Sequence, residues 1–80
     1  MARKRFNAAE KEILAKGAGT SVEWQNVTQW HPGTLVSGEI KTEPGGWQYA
    51  DVRNDDSKGH MFKGDVIGAS PGHIRLPDGE

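Results

Sequence analysis

Eighty residues, 34% hydrophobic and 26% charged, with a formal net charge of −1 and no cysteine, make one small domain near the size at which a single core is only just sufficient. These totals exclude a large enzyme scaffold, a disulfide framework, a thiolate zinc site and a cysteine nucleophile, and a reducing cytoplasm is the expected home. No stretch is long or apolar enough to span a membrane, and "MARKRF" runs into polar, helical sequence instead of the apolar middle of a signal peptide.

Charge is uneven along the chain. In residues 1–16, Arg3, Lys4, Arg5, Lys11 and Lys16 face only Glu10 and Glu12, whereas the remainder carries more acidic than basic side chains. A basic arm therefore leads an acidic body, and contact with phosphate would have to begin on that arm. The plainer expectation for the arm is a solvated, frayed terminus. Asn7 stands as an N-cap with Glu10 as its capping-box acid, which predicts a helix over 8–16 closed by Gly17. Glu12 and Lys16 are spaced for an i,i+4 pair. Phe6, Ala9, Ile13 and Leu14 form the apolar stripe of that helix. About nine residues are too few for an isolated helix, so the stripe must dock, and the chain's own body is the expected surface. Residues 1–20 thus read as a basic arm with a short helix, and residues 21–80 as a β-domain that closes through its own strands.

"SVEWQNV" alternates around Val22 and Trp24, and Trp24 is expected in the core. The sequon-like "NVT" that overlaps its end, Asn26 to Thr28, is read as chance, because nothing directs the chain through a secretory route. In "WHPGTLVSGEI" the Pro-Gly pair reads as a turn, with Trp30 and His31 at the mouth of the strand that follows. That strand places Val36, Gly38 and Ile40 on one face and Leu35, Ser37, Glu39 and Lys41 on the other. "EPGG" is a turn, since proline fixes one dihedral and the glycines supply positive φ. In "WQYADVRN", Ala50 and Val52 suit a crowded core, which leaves Trp47, Tyr49, Asp51 and Arg53 outward. "DDSKG" makes the next turn, "HMFKGDVIG" a further strand, and "SPGHIRLP" a tight turn into a last short strand. Five short strands joined by hairpins predict a mainly β fold, a small barrel with hidden sheet edges and a short N-terminal α-helix.

The order Trp30, "PGTLVSGEI", "GGWQYADVRNDD", a strand with Val66, and then "HIRLP" resembles SH3-like barrels of the Tudor type over residues 21–77. The resemblance implies a five-stranded barrel that binds peptides, or sometimes nucleic acid, on a shallow face of aromatic side chains and carboxylates. By position, Trp30 and His31 would form one wall and Trp47 and Tyr49 the floor, with Phe62 beside them and Asp51 and Asp55 able to meet a cation. The competing reading makes these aromatics a second small core under the helix.

Catalytic constellations are missing from the pattern. His31, His60 and His73 lack the spacing of metal ligands, and Ser21, Ser37, Ser57 and Ser70 read as turn or surface residues. No enzyme activity, metal or cofactor is expected. Two binding roles remain. One is a protein-interaction adaptor that takes a basic or extended peptide on the aromatic face. The other is a nucleic-acid module in which the aromatics stack bases while Arg3, Lys4, Arg5, Lys11, Arg53 and Lys63 meet phosphates. The acidic body favours the first. A chain of this kind would also suit a phage or mobile-element accessory protein.

Overall fold

In the computed structural model, which describes residues 4–57 and 62–77, helix α1 spans Ala8–Ala15 and is followed by antiparallel strands. They are β1 (Ser21–Asn26), β2 (Gln29–Leu35), β3 (Lys41–Thr42), β4 (Gln48–Asn54), β5 (Val66–Ala69) and β6 (Ile74–Arg75). The sheet order is β3-β4-β2-β1-β6, with β5 also paired to β4. The predicted mainly β class with one short helix is what the chain adopts. The sheet curls into a half-barrel, because β5 and β6 share no ladder.

β2 differs from the sequence reading. The Pro-Gly pair is not a turn; it lies inside a strand that begins at Gln29, so Trp30 and His31 are strand residues, not residues ahead of one. The hairpin reverses earlier, at Val27 and Thr28, between the paired Asn26 and Gln29. Pro32 is tolerated because its partner Glu23 follows the parity of Gln25, whose N–H points away from β2 to His73 O at 2.9 Å. The pair Glu23↔Pro32 therefore needs no N–H from Pro32. Gly33 serves close packing: a Cβ there would stand 2.7 Å from Val52 Cγ1 and 2.9 Å from Trp24 Cδ1. The strand expected after the Pro-Gly pair ends at Leu35, which is buried, while Val36 is exposed.

β4 follows its alternation closely. Ala50 and Val52 are wholly buried, and Tyr49, Asp51 and Arg53 take the opposite face. The "EPGG" turn is present, with Gly46 N bonded to Glu43 O at 2.9 Å. Part of "HMFKGDVIG", including His60, lies outside the described residues; the strand within it starts at Val66.

The core unites Val22, Trp24, Leu35, Ala50, Val52, Ala69 and Ile74 from the sheet with Phe6 and Leu14 from the N-terminal segment. α1 begins in the expected capping box: Glu10 N–H donates to Asn7 Oδ1 at 2.9 Å, and Asn7 N–H donates to Glu10 Oε1 at 2.9 Å. Glu10 is only 5% exposed, and its other oxygen accepts Gly72 N–H at 2.6 Å, which ties the helix to the turn before β6. The apolar stripe docks on the body through Phe6 and Leu14 with Ile13 partly buried, but Ala9 is exposed and plays no part in it.

Candidate functional site

The outer face of the curled sheet gathers the side chains that alternate away from the core. Trp30, Pro32 and Thr34 come from β2, Glu23 and Gln25 from β1, Tyr49, Asp51 and Arg53 from β4, and Arg75 from β6. At the Trp30 end the Arg75 guanidinium carbon lies 4.0 Å from the indole centroid, and Arg75 Nε donates to Glu23 Oε1 at 2.7 Å. An aromatic face and a carboxylate thus already hold a guanidinium there.

Next along the row, Asp55 accepts from Thr34 Oγ1 at 2.5 Å and from Arg53 Nε at 3.1 Å, while Asp55 N–H donates to Pro32 O at 3.0 Å. The Thr34 hydroxyl first, and then the Arg53 guanidinium, hold the Asp55 carboxyl below the usual carboxylate range. Val66 and Phe62 are large apolar side chains left 56% and 77% exposed, Phe62 in the turn before β5 where its carbonyl accepts from Asn54 Nδ2 at 3.1 Å. Val66 pairs with Arg53 and so shares the outer face.

His31 does not join Trp30. Neighbours on a strand point to opposite faces, and His31 turns inward, its ring 4.8 Å from that of Trp24 and its Nδ1 2.7 Å from Asp56 Oδ2. The expected wall of Trp30 and His31 is corrected on this point. Trp47 and Tyr49 do not form a floor beneath it either. Thr34 pairs with Arg53 and Leu35 with Val52, so Tyr49 lies past the end of β2, at the far end of the ladder from Trp30. Tyr49 instead pairs with Lys41 and lays its ring beside Gly68, where a Cβ would come within 3.1 Å of it. Asp51 is near it and is bound by Lys41 Nζ at 2.6 Å, a hydrogen bond that raises the Lys41 pKa.

Trp47 belongs to a separate corner. Lys4 Nζ lies 5.9 Å from its ring centroid and donates to Gly45 O at 3.3 Å. Apart from His31, which turns inward, the predicted ligand residues therefore fall into two groups: Trp30, Asp55 and Phe62 at one end, and Trp47, Tyr49 and Asp51 at the other.

The six cations of the nucleic-acid reading are likewise divided. Lys4 and Arg5 are exposed near the start of β4 and Lys11 is exposed on α1, whereas Arg53 and Lys63 act on Asp55 near its end. Arg3 lies outside the described residues. Among the described residues no three His, Asp or Glu side chains converge as a metal site would need, and no helix is long and apolar enough to cross a membrane.

Sequence reasoning missed Glu23, Arg75 and Gln48. Arg75 and Glu23 are 52 positions apart, and only the β1–β6 pairing, which no local pattern reveals, brings them together. No protein-family model matches this chain, and neither a curated protein nor a solved structure is significantly similar to it.

Proposed function

We propose that this chain is a non-enzymatic binding module on an SH3-like barrel of the Tudor type, and that its Trp30 end takes a basic, extended segment of a protein partner. The observation that carries the reading is the Arg75 guanidinium on Trp30 at 4.0 Å, held by Glu23 at 2.7 Å. An arginine or lysine from a partner would meet the same chemistry by taking the place of Arg75, a contact worth about 0.5–1 kcal/mol when exposed and about 2 when desolvated. Asp55 supplies negative charge alongside, and Phe62 and Val66 supply apolar area for the next ligand side chain. The curled antiparallel sheet supports the barrel reading.

Titration of the full chain with short arginine- and lysine-containing peptides, followed by amide and indole chemical shifts, tests this directly. Shifts are expected at Trp30, Glu23 and Asp55, and Trp30→Ala should weaken binding about tenfold, the equivalent of about 1.4 kcal/mol. A duplex DNA titration belongs beside it. Binding of DNA with a steep salt dependence, and of no peptide, would transfer the function to the nucleic-acid reading.

A further inference from the structure

The N-terminal arm is seated on the body as a ligand peptide would be. Gln48 N–H donates to Lys4 O at 2.7 Å, and Gln48 Oε1 accepts Phe6 N–H at 2.9 Å, so one residue of β4 captures the backbone at both ends of an i,i+2 pair. The segment is bent at residues 4 and 5 and forms no ladder with β4, so it is held as a docked peptide is, by one main-chain bond and one bond to the Gln48 side chain, with its side chains in separate seats. The Lys4 ammonium lies over the Trp47 ring and reaches Gly45 O, with no carboxylate partner among the described residues. Phe6 fills the interior beside Leu14. Every contact uses groups that any peptide with the same two side chains would bring.

We propose that the corner formed by Gly45, Trp47 and Gln48 is a second peptide-binding site, for a bent segment carrying Lys or Arg two residues ahead of an aromatic, and that residues 4–6 occupy it as a tethered competitor. A short tether gives the arm an effective concentration in the millimolar range, so an outside segment binds well only when the arm is loosened. The site is separate from the Trp30 face and does not rest on it.

The test uses the full chain, as wild type and as Lys4→Glu, titrated with the peptide Arg-Lys-Arg-Phe-Asn while the Trp47 indole and Gln48 amide signals are followed. Lys4→Glu should bind at least tenfold more tightly than wild type. Replacing the peptide's lysine by alanine should lose most of that affinity. Trp47→Ala in the Lys4→Glu background should abolish the shift at Gln48 while shifts at Trp30 and Glu23 persist, and Trp30→Ala should leave the titration read at Trp47 and Gln48 unchanged. Equal affinity in wild type and Lys4→Glu would remove the arm as a competitor, and no shift at Gln48 or Trp47 with millimolar peptide would remove the site. Because Lys4 is exposed, its substitution does not disturb the core. Lys4→Ala gives a second unlatched chain in which the same ordering of affinities must hold.

Discussion

Gly33 has no room for even one methyl group. A Cβ there would meet Val52 Cγ1, Arg53 O and Trp24 Cδ1, all within 2.9 Å. Since two of these belong to core side chains and one to a strand backbone, Gly33→Ala should lower stability by about 1–3 kcal/mol in a denaturant titration, the cost of overpacking. Val27 presents the reverse case. It is a β-branched residue with φ +59° at the tip of the β1–β2 hairpin, exposed and without packing to offset the strain. Val27→Gly should therefore raise stability by about 1 kcal/mol, and an unchanged or lower melting temperature would show that the tip is not strained. Asp55 makes stability depend on pH. Its folded pKa is depressed, so its contribution is present above the unfolded value near ~3.9 and is lost as pH falls through the folded value. Asp55→Asn should melt at a lower temperature than wild type at neutral pH, with the gap closing as both chains are acidified. Lys41 has the opposite sign: its raised pKa gives a contribution present at neutral pH and lost only in strong alkali.

Elements formed by local chemistry were readable, and those formed by packing were not. The helix start depends on Asn7 and Glu10, three residues apart, and both halves of the capping box are made. Asn7→Ala should cost about 1 kcal/mol, measurable as a drop in the denaturation midpoint with unchanged slope. β4 was equally legible, because its alternation sets small buried residues against large or charged outward ones. β2 was not, since Pro32-Gly33 carries the strongest turn signal in the segment, whereas the true reversal at Val27 and Thr28 carries none. What resolves the conflict is long-range: Trp24 from β1 and Val52 from β4 close over Gly33, a role for glycine that spacing alone does not distinguish from a turn. The candidate site shares this limit. That Trp30 faces outward follows from strand parity once β2 is placed, but its partners Arg75 and Glu23 meet it only through the pairing of the last strand with the first.

For the molecule as a whole, the decisive question is whether the half-barrel stands without its N-terminal segment. The sequence reading expects it to, because hairpins would close the barrel unaided. In the folded chain β5 and β6 leave the sheet open, while Phe6 and Leu14 are buried in the same core as Val22, Val52 and Ile74. Removing a buried phenylalanine costs about 3–5 kcal/mol and a buried leucine about 2–5. A domain of this length has a total stability of roughly 4–12 kcal/mol at about 0.05–0.15 kcal/mol per residue. The lost packing is thus of the same size as the whole stability, and the Glu10 bond to Gly72 that anchors the turn before β6 goes with it. A chain lacking residues 1–16 should show no cooperative transition by circular dichroism or calorimetry and should bind hydrophobic dye. The milder Leu14→Ala should stay folded but lose several kcal/mol, which separates lost packing from any general intolerance of truncation. A sharp melt in the truncated chain would mean that the strands close by themselves and that the helix only covers a finished core.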